Sequence, residues 1–155
     1  MKISLRETEQ EDYLFTYSVK KQALGSHIKA KWEWNEAYQQ ETHLKKWTEK
    51  PWLIIVVDGL DVGTVSIEYI ENHIRFGEFY LLDQFRNRGI GTKVLMTLLD
   101  TADETSQEVF LEYLKWNPVG SLYKRCGFEI IDENDIHYFM KRIPQTRDDW
   151  YSESL

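Results

Sequence analysis

The sequence predicts an α+β (α/β) fold, a mixed β-sheet that carries helices on its faces. Two observations predict it. Between Trp52 and Leu82 three strand-like runs succeed one another through tight turns. After Thr92 a helical pattern, a strand, a short helix and two closing strands follow in that order. A length of 155 residues, 42% hydrophobic and 14% aromatic, is enough for one proper core. Residues 1–143 therefore read as a single domain, with a polar, acidic tail over 144–155 that Trp150 and Tyr151 could dock.

Ile3-Ser4-Leu5 alternates as a short first strand. Glu9 to Gly25 places Tyr13, Leu14, Tyr17 and Lys20-Lys21 at helical spacing, with Gly25 as the expected stop. Asn35 has the side chain to cap a second helix running to Trp47 through Tyr38, His43 and Leu44. Trp52 to Val57 is the strongest strand pattern in the chain, and Asp58-Gly59 is a hairpin signal leading to a return strand over 61–70. Glu71-Asn72 turns the chain into a third run, Ile74 to Leu82. Val94, Leu95, Leu98 and Leu99 give the next helix, and Val109 begins an apolar run that ends at Asn117. A short helix then leads to Leu122-Tyr123, and Gly127 stops it. Phe128-Glu129-Ile130-Ile131 opens a strand that turns near Glu133-Asn134-Asp135 into the last one.

A formal net charge of −7 argues against a nucleic-acid partner, which wants a basic face. It suits a cationic substrate such as an amine, although acidity also serves solubility alone. No stretch is apolar enough to span a membrane, and Met1-Lys2-Ile3-Ser4 starts no signal peptide. A single cysteine, Cys126, leaves no internal disulfide framework and fits a reducing cytoplasm, so a cytoplasmic location is expected. The histidines and Cys126 lack metal-ligand spacing, and no metal is expected. Cys126 reads as a small core residue without an activating partner.

The most informative stretch is Arg86-Asn87-Arg88-Gly89-Ile90-Gly91-Thr92, between the aromatic run Phe79-Tyr80-Leu81-Leu82 and a helix. A strand that turns through glycine into a helix start leaves several N–H groups unpaired and pointing one way. The helix dipole adds partial positive charge there, so the turn suits a phosphate or pyrophosphate. Gly89 and Gly91 allow close backbone approach, and Arg86 and Arg88 add fixed charge. A P-loop is disfavoured because no G-K-[ST] follows the turn; Gly91-Thr92-Lys93 has the order wrong. Downstream lies Asn117-Pro118-Val119-Gly120-Ser121-Leu122-Tyr123-Lys124-Arg125-Cys126-Gly127-Phe128.

The R-x-x-G-x-G turn followed by N-x-x-x-x-L-Y-x-x-x-G-F resembles the GNAT superfamily of acetyl-CoA-dependent N-acetyltransferases. The resemblance runs from Trp52 to Met140, and the first fifty residues match only in pattern. It implies a mixed, mostly antiparallel central sheet of about seven strands flanked by about four helices. It further implies acetyl-CoA as cosubstrate, with the pantetheine arm lying like an added strand against the backbone of Tyr80 and Leu81. The pyrophosphate would sit on the N–H groups of Asn87, Arg88, Gly89, Ile90, Gly91 and Thr92, flanked by Arg86. The amide near Leu81 would polarise the thioester carbonyl. Tyr123 matches the family tyrosine near the cofactor sulfur, and Asn117 the asparagine that contacts the pantetheine arm. A phenol with a pKa of about 10 can protonate a leaving thiolate. Each also has a plain structural role open to it: a buried ring on an amphipathic helix, and a helix cap.

The general base stays open between Glu112 on the fifth strand, Glu78 on the fourth, Glu68 on the third, and an ordered water. Glu112 lies where some relatives carry a catalytic glutamate, and Glu78 is expected to share a face with Tyr80 and Leu82. Acceptor specificity is expected from the first helices and the loop between them. There Trp32-Glu33-Trp34 could receive an amine through cation–π and charge contacts, or could be a packing plug. His137 alternates toward the same region. The expected activity is transfer of an acetyl group to a primary amine of a small molecule or peptide, by direct attack in a ternary complex. The competing reading is a non-catalytic acyl-CoA-binding sensor or interaction module. Either would act as a monomer or homodimer.

Overall fold

The computed structural model describes residues 1–29 and 33–146. Strand β1 (Ile3–Glu7) leads through a 3-10 turn (Gln10–Asp12) into helices α1 (Tyr13–Lys29) and α2 (Glu36–Glu49). Strands β2 (Trp52–Val57), β3 (Leu60–Ile70) and β4 (His73–Leu81) follow as a meander. Then come a second 3-10 turn (Asp83–Phe85), α3 (Ile90–Glu104), β5 (Glu108–Leu114), α4 (Gly120–Arg125), β6 (Glu129–Glu133) and β7 (His137–Arg142). The strands form one seven-stranded sheet in the order β1-β2-β3-β4-β5-β7-β6. β4 and β5 pair in parallel, from His73↔Glu108 to Arg75↔Phe110. The pairs β1–β2, β2–β3, β5–β7 and β6–β7 are antiparallel. A parallel pair needs a crossover connection, and α3 supplies it.

The expected turns form for the expected reasons. Asp58 (φ 50°) and Gly59 (φ 84°) both take the left-handed conformation that a two-residue hairpin demands. Asn35 caps α2 by accepting from the Tyr38 N–H at 3.0 Å. Gly127 (φ 95°) ends α4. The expectation for Gly25 is corrected. α1 runs on to Lys29, and Gly25 is buried within it without a left-handed φ. A single helical glycine costs about 1 kcal/mol, too little by itself to end a helix.

The chain packs as two compact units with interleaved segments. One comprises Met1–Glu68 with Phe76–Gly91, the other Tyr69–Arg75 with the chain from Thr92 onward. In the first, Val19, Ala23 and Leu24 of α1 and Trp52, Ile54, Ile55 and Val57 of β2 are buried, as are Val62 and Val65 of β3. His43 of α2 is fully buried, with its ring 5.1–5.4 Å from those of Tyr13, Tyr17 and Trp52. Its Nε2 lies 2.9 Å from Thr16 Oγ1, whose single proton goes to the Tyr13 carbonyl at 2.8 Å. Nε2 must therefore carry the hydrogen, which leaves Nδ1 buried without a hydrogen-bond partner. Burial, and secondarily Lys20, push the imidazole down to about 4. Arg6 of β1 grips Asp12 with both nitrogens at 2.9 Å and also reaches Asp61, which holds the carboxyl of Asp12 below its ordinary range.

In the second unit, α3 buries Val94, Leu95, Leu98, Leu99 and Ala102, the helical spacing read from the sequence. Val109, Leu111, Phe128 and Met140 complete that core. Buried Arg142 of β7 binds Asp103 of α3 bidentately at 2.8 and 3.1 Å and donates from Nε to the Cys126 carbonyl at 2.8 Å. The Gln145 N–H also donates to Asp103, so the chain stays docked two residues into the expected tail. Trp150 and Tyr151 lie outside the described residues. Among the described residues no helix is long and apolar enough to cross a membrane.

Two predictions follow from this packing. A Cβ on Gly63 of β3 would overlap the Tyr80 carbonyl and the Leu81 side chain of β4. Gly63→Ala should therefore lose about 1–3 kcal/mol, read as a lower Tm in thermal unfolding; an unchanged Tm would mean the strands part freely. For His43, the unfolded chain takes up a proton near pH 6.5 that the folded chain refuses until about 4. Stability must fall as pH drops through that window, by up to about 1.4 kcal/mol per pH unit. Denaturant titrations should show this slope in the wild type and its loss in His43→Phe, and equal slopes in both would exclude His43.

Candidate active site

The turn after β4 is built as an anion cradle. Leu82 N–H donates to the Val62 carbonyl at 2.9 Å, and the Asp83 N–H to Gln22 Oε1 of α1 at 2.8 Å, which fixes the start of the turn. Asn87 (φ 60°) and Gly89 (φ 79°) then go left-handed before α3 begins at a buried Ile90. Arg86, Asn87, Arg88 and Gly89 are exposed at the mouth of the helix. Arg86 leans on Asp83 at 3.4 Å and Arg88 lies 5.4 Å over the Phe85 ring, so both guanidinium groups are steadied beside the turn. The two glycines act differently. At Gly89 there is open space but a φ that strains any side chain; at Gly91 a Cβ would press on the Phe79 ring at 3.2 Å. The free N–H groups of the first turn of α3 and the helix dipole favour a diphosphate here.

The strand that delivers this turn is itself irregular. Glu78 takes φ 47° in mid-strand, and its carbonyl accepts from buried Thr64 Oγ1 at 2.8 Å. Glu78 is buried and Tyr80 half-buried, their side chains hydrogen-bonded to each other, and Leu82 lies beyond the strand. The carboxylate meets three ammonium groups: Lys20 at 3.5 Å, Lys46 at 3.4 Å and Lys50 at 3.3 Å. A Tyr80 hydrogen bond adds to them. Burial alone would raise the Glu78 pKa; the lysines instead pull it down to about 2. Burial likewise lowers Lys20 to about 8 against the attraction of Glu78. Sequence reading singled out Glu78 and missed all three partners. The usable signal was Lys20, which falls on the apolar stripe of α1 with Thr16, Val19, Ala23 and Leu24.

In the second unit, Tyr123 is buried on α4, with its ring 5.7 Å from those of both Tyr113 and Phe128. Burial and Tyr113 raise its pKa well above the ordinary phenol value, so it stays protonated at every physiological pH and has no phenolate to act as a base. Gly120 is required here, because a Cβ would overlap the Tyr113 hydroxyl. Asn117 Oδ1 accepts from the Val119 N–H at 3.1 Å, bracing the turn before α4. Tyr113 pairs with Tyr138 across β5 and β7, and Glu112 pairs with Phe139. Alternation therefore puts exposed Glu112 and half-buried His137 on the sheet face opposite to Tyr113, Tyr138 and Tyr123. The fold does not bring Glu112 and Tyr123 side by side. Glu68 ends up half-buried on β3. Cys126 caps α4, half-buried, and burial raises its thiol pKa.

Of the aromatic segment before α2, Trp32 lies outside the described residues. Trp34 donates from Nε1 to Glu36 at 2.8 Å, and the Lys21 ammonium stands 5.8 Å over its ring. Glu36 also accepts from Tyr17 and Lys21, each at 2.7 Å, and from Gln40 at 3.1 Å; these contacts, that of Lys21 first, hold its carboxyl down at about 2. The Trp34 indole is thus already engaged by a cation and an anion of the chain itself.

The acetyltransferase (GNAT) domain family matches residues 49–130. No curated protein matches the chain significantly. Among solved structures, PaiA N-acetyltransferase from Thermoplasma acidophilum, in complex with coenzyme A, superposes with a TM-score of 0.74 at 19% identity, over 92% of this chain and 99% of that one. A GNAT-family acetyltransferase from Staphylococcus aureus Mu50 gives 0.69 at 14% identity over 93% and 100%. The ribosomal-protein-S18-alanine N-acetyltransferase from Escherichia coli gives 0.66 at 14% over 96% and 98%. At such identities these likenesses establish the fold: a seven-stranded, mostly antiparallel sheet with four helices. Both motifs of the sequence, the fold that joins them and the family match agree, and the chain belongs to the GNAT acetyltransferases as an acyl-CoA-dependent N-acetyltransferase domain.

Proposed function

We propose that this domain transfers an acetyl group from acetyl-CoA to a primary amine of a small molecule or peptide, by direct attack in a ternary complex. The observation that carries the reading is the left-handed Asn87–Gly89 turn at the start of α3, a diphosphate cradle within the segment that the family matches. The coenzyme A bound to the Thermoplasma relative supports the same cosubstrate. In this reading Arg86 to Thr92 hold the pyrophosphate, the backbone of Tyr80 and Leu81 aligns the pantetheine arm, and Asn117 steadies it. The neutral amine attacks the thioester carbonyl, the C–S bond breaks, and the sulfur takes a proton from Tyr123. The ammonium proton goes to Glu112 or to a water. Glu78 does not suit that task, because a carboxylate held at about 2 by three lysines is a feeble acceptor. His137 shares the Glu112 face and would border the acceptor.

Thiol release from acetyl-CoA across a panel of amines tests the reading; binding of acetyl-CoA without release by any amine would favour the sensor instead. Tyr123→Phe should bind acetyl-CoA as before yet turn over about 10²-fold more slowly. An equal kcat with a substrate whose chemistry is rate-limiting would remove Tyr123 from the reaction. Gly89→Val, by forcing a branched side chain into φ 79°, should abolish calorimetric binding of acetyl-CoA while the protein stays folded; unchanged affinity would place the diphosphate elsewhere.

A further inference from the structure

Glu78 is one anion among three cations. Lys20, Lys46 and Lys50 all stand within 3.5 Å of its carboxylate, and the adjacent His43 is neutral. The cluster therefore holds about two positive charges in excess, over a dry floor where an uncompensated charge is expensive. Lys20 Nζ and Glu78 Oε2 face each other at 3.5 Å as a long ion pair, and neither has a shorter hydrogen bond. Lys20 and Glu78 form the floor, with side chains 7% and 3% exposed; Lys46 of α2 and Lys50, the residue that caps its C-terminus, form the rim at 39% and 32%. The excess charge is thus reachable from solvent through these two lysines. The −7 of the whole chain does not cancel it, since exposed charges more than about 8–10 Å away are screened at physiological salt.

The cluster also adjoins the strand segment assigned above to the acyl group. Tyr80, which hydrogen-bonds Glu78, is two residues further along β4, and Leu81 three. At about 3.3 Å per residue, Glu78 and Leu81 are on the order of 10 Å apart along β4, which in that reading is the span from the cluster to the acyl group. We propose that Lys46 and Lys50, backed by Lys20, receive a carboxylate of the acceptor, which makes the acceptor an amine that carries a free carboxylate several bonds away, such as an ω-amino acid or a short peptide. The carboxylate completes the charge balance of the cluster, and the amine reaches toward the end of β4. This assignment rests on the N-acetyl transfer reading for its geometry, while its binding step stands apart from turnover.

The test uses amino acids, ω-amino acids and di- and tripeptides, each as free carboxylate and as primary carboxamide, titrated calorimetrically into the CoA-loaded protein. The carboxylate forms of the longer members should bind about tenfold or more tighter than their carboxamides. Lys46→Met with Lys50→Met should erase the difference and leave CoA affinity unchanged, and the double arginine variant should keep it. Equal binding of the two forms, a preference that survives the methionine variant, or no binding by any carboxylate would overturn the proposal. Thiol release at equal kcat/KM from both forms would overturn it while upholding acetyl transfer. A lysine-dependent carboxylate preference without thiol release from any amine would uphold the anion site and overturn the transfer reading.

Discussion

The contact on which the first unit depends is the buried carboxylate of Glu78 with its three lysines. Lys20 comes from α1, Lys46 from α2 and Lys50 from its C-cap, so one side chain of β4 ties both helices to the strand. The backbone under it is equally constrained: a left-handed φ in mid-strand persists only where the surroundings over-determine it. Thr64 does so by holding the Glu78 carbonyl from the neighbouring strand, and Gly63 does so by letting β4 come closer than any side chain would allow. The desolvation of four charges sets a large cost against their attraction, and the net stabilisation of such clusters is small or negative compared with an apolar replacement. What the cluster gives instead is a fixed direction for β4, whose next residues lead into the glycine turn before α3.

The second unit is organised by one buried pair of the better-matched kind. Arg142 meets Asp103 fork to fork and uses its remaining Nε–H on the Cys126 carbonyl, while the Gln145 N–H fills the second position on Asp103. The α4 C-terminus, α3 and β7 are thereby locked around a core that positions Tyr123. The tyrosine needs that rigidity more than it needs a special pKa. Burial has already fixed its proton, so its usefulness rests on where the hydroxyl points.

Much of the fold was legible because its punctuation is local. Asp58-Gly59, Asn35 and Gly127 each dictate a φ or a cap through their own chemistry, and each does in the structure what its residue type demands. The glycine turn into α3 was legible for the same reason, with Gly89 left-handed. The misreadings share a different cause. Gly25 looked like a stop, but its neighbours' packing carries α1 through it. Glu78 looked like an ordinary strand carboxylate, yet it takes a left-handed φ in mid-strand, which nothing in a glutamate announces. Lys20 was visible as a charge on an apolar stripe. Its partner lies 58 positions away in sequence, and pattern analysis has no term for a pair that only the sheet brings together.

Once Glu78 is recognised as a permanent anion, the proton inventory of the reaction narrows. The ammonium proton cannot pass to a carboxylate whose charge is already shared among three lysines, and Tyr123 has no basic form to offer at neutral pH. In the proposed transfer another group or solvent has to take it. The two proton transfers are distinct, since the nucleophilic nitrogen loses a proton while the departing sulfur gains one, yet both happen at a single carbonyl carbon. Strand alternation puts Glu112 and His137 on the sheet face opposite to Tyr113 and Tyr123, and this favours solvent over Glu112 as the acceptor when Tyr123 serves the sulfur.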